Sequence, residues 1–307
     1  MLPSPTETNP LPGLLAGFAT VVLWAAGLAL TRFGVVGSLT VWDVMFLRMC
    51  IPALLLWPIL LRQGTGFGRG HNGSVAVMLI GAGLPFITLS TLGFSLAPVA
   101  HAGAFMPGTM PLFAALLSWL VLGEKLSRDR MAGFGLILLG AGAIAGYHIL
   151  HSEHGVWRGH LLFVCSGFLW SSFTVAMRRS GFGAWHATAL IYCSAALLFA
   201  PIYLLGLPSN LANAPLFEIV VQLLQSVVTG VLSLYLFGFA VGRLGAGRAA
   251  AFAALTPVIA ALLGIPLLHE WPEPITWAGI LLVACGVALA SGAAAMVLQR
   301  RRMKAAP

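Results

Sequence analysis

Polar side chains stand at helical spacing inside a long apolar stretch, residues 216–240, of this 307-residue sequence. They recur at steps of three and four, so one face of a helix carries all of them. A buried amide is costly unless water or a polar partner satisfies it, which favours the wall of a wet cavity. Interhelical hydrogen bonding is the alternative, because Ser and Thr often link membrane helices. The stripe consists of Gln222, Gln225, Ser226, Thr229 and Ser233.

Other apolar stretches carry polar or aromatic faces of the same kind. Trp24 and Trp170 are the two tryptophans that lie away from the ends of these stretches, and they either flank a substrate or fill the core. For a single Ser or Thr, we favour bonding between helices. The candidate substrate-binding residues are Trp24, Thr88, Thr91, His101, Phe105, Trp170, Ser171, Thr174, Gln225, Thr229 and Ser233.

Three of the prolines within the apolar stretches are candidate hinges: Pro107, Pro111 and Pro257. Each removes a backbone hydrogen bond and frees a carbonyl oxygen. Such breaks can act as hinges or present carbonyls to a substrate, and we predict hinges here. A static kink is an equally good interpretation.

No Asp or Glu lies in the middle of an apolar stretch. Proton relays and cation sites in membranes usually need a buried carboxylate, so we predict a neutral or zwitterionic substrate. Transport is then facilitative, or coupled through a histidine such as His101 or His186, although interfacial placement is the alternative for both. Arg48 is the one cation well inside a stretch, and it either binds a substrate carboxylate or snorkels outward.

Metal and cofactor sites are not predicted. The segment 147–160 carries His148, His151 and His154 at the spacing that can gather imidazoles for zinc, but we interpret it as a solvated loop. The four cysteines show no ligand spacing and read as small packing residues.

The composition excludes several classes of protein. Charged residues make up 8% of the chain, against about 25% in soluble domains. The mean hydropathy is +0.97. A soluble enzyme, a disordered chain and a secreted disulfide scaffold are therefore excluded, and a polytopic membrane protein remains. The net charge of +8 reflects few acids rather than a basic patch, so nucleic acid is not a predicted partner.

The apolar runs predict ten membrane-spanning helices, because each is close to the roughly 20 residues that cross a bilayer. We name them spans one to ten: 13–33, 42–62, 74–96, 100–122, 131–149, 159–178, 186–206, 216–240, 247–268 and 275–297. The predicted fold is all-α and membrane-embedded. Spans one, three, four, six, eight and nine are predicted to line the cavity, and the glycine-rich spans five and ten to be scaffold or a homodimer contact.

Lys and Arg counting sets the predicted orientation. If the N-terminus lies on side A, the segments on that side hold 13 of the 16 cations. Cytoplasmic loops carry such an excess, so side A is the predicted cytoplasm and both termini lie there, with the chain in an inner membrane. The residues 1–12 and 298–307 are predicted cytoplasmic tails.

The chain matches itself at a shift of 146 residues. The shift aligns Trp24 with Trp170, Arg32 with Arg178, Pro111 with Pro257, and Glu124 with Glu270. It predicts two repeats, 13–149 and 159–297, of five spans each. Five is an odd number, so the second repeat enters the membrane from the opposite face. Inverted repeats around a shared site are typical of alternating-access transporters.

These residues also carry a family resemblance. The run from Pro111 to Glu124, the glycine-rich helix after it, and the second copy from Thr256 to Glu270 resemble EamA-type transporters of the drug/metabolite transporter superfamily. Trp24 and the Leu47–Arg48 pair fit the same pattern. The resemblance covers all ten spans and implies a ten-helix inverted-repeat fold and export of metabolites, often amino acids. In members that resemble aromatic amino acid exporters, aromatic side chains line a central cavity.

The sequence as a whole predicts a secondary transporter that exports a small neutral or zwitterionic metabolite across the inner membrane by alternating access. The expected substrate is an amino acid, and amino acids with an aromatic side chain are included. The expected partners are this small molecule and the lipid bilayer. Two alternatives remain open: a membrane-embedded enzyme that modifies lipid, and a channel whose flux does not saturate.

Overall fold

The computed structural model describes residues 11–291 except Arg69, His71, Lys125 and 152–154. All regular elements in this part of the chain are helical, as predicted. The predicted tail 298–307, the end of span ten and almost all of tail 1–12 lie outside the described residues.

The first repeat forms seven helices from five predicted spans, because spans three and four are each interrupted. Span three is divided at Gly83, and span four at residues 106–109. The helices are α1 (Leu11–Val36), α2 (Val41–Gln63), α3 (Asn72–Ala82), α4 (Leu84–Leu96), α5 (Val99–Phe105), α6 (Met110–Leu122) and α7 (Arg128–His151).

The second repeat is interrupted in the same places. A π-helical segment, Val228–Leu232, divides span eight, and a 3₁₀ segment, Phe252–Leu255, divides span nine. The helices are α8 (Val156–Ser180), α9 (Ala184–Gly206), α10 (Leu216–Val227), α11 (Ser233–Leu244), α12 (Ala246–Ala251), α13 (Thr256–Leu268) and α14 (Pro274–Ala290).

Eight of the helical stretches are long and apolar enough to cross a membrane, and two further apolar helices, Phe252–Leu268 and Pro274–Ala290, are shorter. Their outward surfaces carry large exposed apolar side chains such as Leu138, Leu205 and Trp271. Water would penalise such a surface and lipid would not, so the molecule is an integral membrane protein.

The helices of the two repeats pack against one another in related pairs. Span one (α1) packs on the helices of spans eight and nine, and its counterpart span six (α8) packs on those of spans three and four. Span two packs on span seven, and span five on span ten. This exchange of partners is what a pseudo-twofold axis between the repeats produces.

The glycines of spans five and ten face each other within the chain. A Cβ at Gly133 would lie 2.6 Å from the carbonyl oxygen of Gly286, and one at Gly140 would lie 2.5 Å from that of Gly279. Only glycine permits such close backbone contact between α7 and α14. Gly142 and Gly146 have no atom of the described chain within 4 Å of a Cβ position. The tightest glycine contacts therefore join the two repeats and do not face outward.

Candidate functional site

The four helix interruptions fall at positions related by the 146-residue shift. Gly83 corresponds to Thr229 in the π-helical segment, and residues 106–109 correspond to the 3₁₀ segment Phe252–Leu255. Pro111 and Pro257 stand at the start of α6 and α13, where a missing N–H is tolerated, and Pro107 lies in the turn before α6. The three predicted hinge prolines are thus all at real breaks in the helices.

The polar stripe of span eight faces span one. The indole Nε1 of Trp24 donates to Ser233 Oγ at 3.1 Å, and Gln225 Nε2 donates to Thr31 Oγ1 at 3.1 Å. Thr229 lies against Gly27, where a Cβ would be 2.9 Å from the threonine methyl group. The stripe therefore forms a hydrogen-bonded seam with α1, which matches the interhelical alternative for most of its members.

One hydrogen-bond acceptor in this seam has no donor among the described residues. Gln225 is 3% exposed, and its Oε1 atom has no hydrogen-bond partner within the described part of the chain. Its Nε2 also bonds Gln222 Oε1 at 3.2 Å. A buried, unsatisfied amide oxygen is costly, so this atom is available to a ligand or to water.

Tyr192 of α9 lies against another side of the same π-helical segment, and Arg48 of α2 is near this tyrosine. Arg48 lies seven residues, or about 10 Å, into α2 and is half-buried. Its electrostatic neighbour is Tyr192 of α9, whose hydroxyl would lie 3.0 Å from a Cβ at Gly230. Among the described residues, the Arg48 guanidinium forms no ion pair or hydrogen bond.

The π-helical segment is thus bordered by Trp24 and Gln225 on one side and by Tyr192 on the other, with Arg48 beside the tyrosine. π-Helical turns inside α-helices occur frequently at functional sites. We define this group of residues as the central polar site. It offers a cation, a free amide oxygen and an aromatic surface, which together suit a small zwitterion.

The predicted residues of spans three and six lie elsewhere. Trp170 is 36% exposed and packs against Phe86 and Phe173, with ring centroids 5.1 and 5.2 Å apart. It is not in hydrogen-bond contact with a serine as Trp24 is. The hydroxyl groups of Thr88, Thr91, Ser171 and Thr174 all donate to carbonyl oxygens of their own helices.

His101 and Phe105 lie at one end of the bundle. His101 is 2% exposed and its Nδ1 atom is 2.9 Å from His160 Nε2, while the Phe105 ring stacks on His160 at 4.3 Å. The interpretation of segment 147–160 as a solvated loop is wrong for its two ends. His148 lies in the last turn of α7 and His160 lies near the start of α8, and both are buried because they lie on helix faces that pack against the bundle.

Two ion pairs join the repeats at opposite ends of the bundle. Arg32 Nε lies 2.7 Å from Glu270 Oε1, and Arg178 Nη2 lies 2.5 Å from Glu124 Oε1. The 146-residue shift converts one pair into the other. We call them the side-B pair (Arg32–Glu270) and the side-A pair (Arg178–Glu124), after the predicted sides of their helix ends.

The same left-handed turn places both glutamates. α6 ends at Gly123 with φ 69°, and α13 ends at His269 with φ 54°. The amides of Glu124 and Glu270 then bond the carbonyl oxygens six residues earlier, at 3.3 and 3.2 Å, and so satisfy carbonyl groups at the ends of the two helices. The turn reverses the chain, so each glutamate points back towards the arginine of the other repeat.

The two pairs differ in burial. The side chains of Arg32 and Glu270 are 16% and 18% exposed, whereas those of Arg178 and Glu124 are 52% and 36% exposed. Arg32 also donates to the carbonyl of Phe94, and Glu270 accepts from the Val99 amide at 2.8 Å. The side-B end is therefore the more tightly sealed of the two.

A cleft of about 270 Å³ opens beside the side-A pair. It lies between α3, α6 and α8, and its walls include Ser74, Val121, Ser172 and Arg179. Most of the lining is apolar. None of the lining residues belongs to the central polar site, so the cleft is a separate feature of the side-A half.

Sequence reasoning missed three parts of this arrangement. Tyr192 was not predicted, because a single tyrosine in an apolar run is usually interpreted as a residue of the hydrophobic core. The four residues of the ion pairs were visible in the sequence, because the shift aligned arginine with arginine and glutamate with glutamate. Such an alignment does not show that the arginine of one repeat contacts the glutamate of the other. The burial of His148 depends on where α7 ends, and helix ends are poorly fixed by composition.

The fold and these sites define a membrane protein of two like halves that meet around a polar centre. The model of the EamA-like transporter family matches residues 11–146 and 157–292, and the chain belongs to that family. The two matched segments are offset by the same 146 residues at which the sequence matches itself.

Two relatives agree with this assignment. An uncharacterized transporter of Synechocystis sp., sll1319, is 26% identical over 183 residues, which is 59% of this chain and 55% of that protein. The match thus spans about half of the relative's length. A crystal structure superposes with a TM-score of 0.61 and 21% identity over 94% of this chain and 98% of its own, which shows a shared fold.

Proposed function

We propose that the protein is a secondary transporter that moves a small neutral or zwitterionic metabolite by alternating access between two inverted five-span repeats. The observation that carries the proposal is the pair of repeat-related ion pairs at opposite ends, one buried and one exposed. A carrier needs two closures that open in turn, and inverted repeats supply two copies of one closure.

The proposed topology has ten spans, with the interrupted span nine and span ten crossing the membrane like the other eight. Both termini lie in the cytoplasm and the protein resides in the inner membrane, because the cations concentrate on side A. Export is the proposed direction, because the EamA-type resemblance implies it.

Substrate recognition is assigned to the central polar site. Arg48 would bind the carboxylate of an amino acid, because a guanidinium without a protein partner inside a membrane is costly until an anion pairs with it. The free Oε1 of Gln225 would accept from the substrate's ammonium group. Trp24 supplies a flat apolar surface beside them, which suits an aromatic side chain.

The direct test is counterflow in proteoliposomes. Vesicles loaded with one unlabelled amino acid should take up the labelled form transiently and saturably, and a screen of amino acids and nucleosides identifies the substrate. Flux that rises linearly with concentration would support a channel instead. Turnover of a lipid by purified protein, without counterflow of any solute, would support the enzyme alternative.

The Arg48→Gln variant tests the proposed site. It keeps a hydrogen-bond donor on a shorter side chain and removes the cation, so the apparent affinity for a carboxylate-bearing substrate should fall by about tenfold or more, as for loss of a charged hydrogen bond of roughly 1.5–3 kcal/mol. Arg48→Lys should retain part of that affinity. Arg62→Gln, a change at the exposed end of the same helix, is the matched control. Equal affinity in Arg48→Gln and Arg62→Gln would remove Arg48 from the site.

A further inference from the structure

Three histidines and a glutamate from four helix ends meet at the side-B end. His101 comes from α5 and His148 from the last turn of α7, while His160 lies near the start of α8 and Glu273 immediately precedes α14. The imidazole centroids of His101 and His148 are 4.5 Å apart, and those of His101 and His160 are 4.9 Å apart. The cluster joins the first repeat to the second.

The ligand atoms of this cluster have the separation that a small cation needs. One atom each from His101, His148 and Glu273 lie within 4.8 Å of one another. His148 Nε2 and Glu273 Oε2 are 3.3 Å apart, which equals the edge of a tetrahedron with metal–ligand bonds of about 2.0–2.1 Å. The remaining distances need a contraction of roughly 1.5 Å to reach that edge.

Two of these buried histidines each have one ring nitrogen that makes no hydrogen bond. His148 is 9% exposed and His160 is 4% exposed, yet neither His148 Nε2 nor His160 Nδ1 accepts or donates a hydrogen bond within the described chain. His148 Nε2 faces the Glu273 carboxylate at 3.3 Å without hydrogen-bond geometry. Buried polar nitrogens are normally satisfied, and a cation between these two atoms would satisfy both.

His160 occupies the position of a supporting residue. Its Nε2 atom is 2.9 Å from Nδ1 of His101. Histidines that bind metals usually engage their second ring nitrogen in a hydrogen bond, which fixes the tautomer and the orientation of the ring. With Nδ1 engaged in this way, His101 offers Nε2 to a metal.

The repeat symmetry shows that the fold itself does not require the cluster. The 146-residue shift carries His101 to Gly247, Glu273 to Ser127 and His160 to Leu14. The side-A end therefore has no equivalent set of ligands. A feature present in one repeat only is not needed to build the common fold, and the two repeats can differ in ligand binding.

We propose that His101, His148 and Glu273 form a binding site for a divalent transition-metal ion of the zinc type, which clamps the two repeats at the side-B end. Two imidazoles and one carboxylate are a known zinc ligand set with a fourth position open to water. Nitrogen ligands also disfavour Mg²⁺ and Ca²⁺, which prefer oxygen. The ion would add a cross-repeat link close to the Arg32–Glu270 pair.

Calorimetric titration with Zn²⁺ tests the site without any transport assay. The tag-free protein in detergent, stripped of metal, should bind one Zn²⁺ per chain and no Mg²⁺ in the same range. Glu273→Gln changes a half-exposed residue and should fold normally, and His148→Asn provides a second ligand change. Each should weaken Zn²⁺ binding by at least about tenfold.

His151→Asn is the matched control, since His151 lies in the same last turn as His148 but is exposed. It should bind Zn²⁺ like the unmodified protein. Equal affinity in all four proteins, or no stoichiometric binding in the unmodified one, would overturn the site and leave the histidines as a structural network.

The clamp rests on the proposed transport function and has its own readout. Zn²⁺ added at the side-B face of proteoliposomes should slow counterflow by the unmodified protein and should not affect Glu273→Gln. Zn²⁺ binding with unimpeded counterflow would overturn the clamp. An absence of counterflow in metal-free protein would instead contradict the transporter proposal while leaving the calorimetric result intact.

Discussion

The two ends of this molecule carry the same kind of ion pair, but the pairs differ in how deeply they are buried. At the side-B end, Arg32 and Glu270 are mostly buried, and each makes a further hydrogen bond to the backbone. At the side-A end, Arg178 and Glu124 are exposed beside an open cleft. Both pairs are formed in this structure, and they differ in how far water reaches them. The repeated sequence supplies the same arginine and glutamate at both ends, and the packing around them determines how exposed each pair is.

The largest expected difference between the ends is in stability. Glu270→Gln leaves the poorly exposed Arg32 without its counter-ion, so it should lower the free energy of unfolding by about 2–3 kcal/mol, near the lower range for buried pairs. Glu124→Gln breaks a solvent-screened pair and should lower it by no more than about 1 kcal/mol. Thermal unfolding of both variants in one detergent gives the comparison, and equal shifts would mean that the two ends are equally sealed.

Exchanging the residues that end α6 and α13 should change stability by a smaller amount. The change should have opposite signs at the two ends of the molecule. His269 is the one non-glycine residue with positive φ in the described part of the chain. The left-handed conformation disfavours a side chain, so His269→Gly should stabilise the protein by about 1 kcal/mol. Gly123→His should destabilise it by a similar amount.

The two cap variants also test whether a change in stability is accompanied by a change in transport. Both exchanges keep a left-handed turn before the glutamate, so neither should change counterflow by much. If His269→Gly lowered stability instead, the turn at the end of α13 would owe its shape to contacts of the histidine ring, and the equivalence of the two caps would fail.

The smallest expected effect concerns the repeat-related tryptophans. Trp24→Phe retains an aromatic ring and loses the donor to Ser233, so counterflow should fall several-fold, as for one hydrogen bond of about 1 kcal/mol. Trp170→Phe loses no such bond in the described structure and should have little effect. Equal losses in the two variants would show that the tryptophans serve one shared role and that the repeats do not differ there.

Much of the fold was predictable because lipid imposes simple rules. Apolar length and the need to satisfy every backbone group predicted helices at all ten runs, and the self-match predicted two repeats. The breaks at Pro111 and Pro257 were also visible in the sequence. The break at Gly83 carries the same signal, because Pro85 stands at the start of α4, although this proline was not among the predicted hinges. The π-helical turn at Thr229 has no proline and was not predictable in this way.

The candidate site was less predictable, because it depends on which helices face each other. The stripe through Gln225 was found from spacing alone, but spacing cannot distinguish a cavity wall from a seam with α1. The sequence shows Arg48 inside span two, but not that Tyr192 of another helix lies near it. The histidines of segment 147–160 were interpreted as loop residues because sequence spacing does not reveal that His148 and His160 face the same neighbour, His101.

The central claim, that both ends must open in turn, is tested most directly by locking each end in turn. Arg32→Cys with Glu270→Cys, and Arg178→Cys with Glu124→Cys, remove both charges of a pair together and allow a short cleavable bis-thiol linker to be placed, in a background in which the native cysteines are replaced. We predict that either lock abolishes counterflow and that cleavage of the linker restores it to the rate of the unlinked variant. Saturable counterflow that continues with one end locked would contradict alternating access.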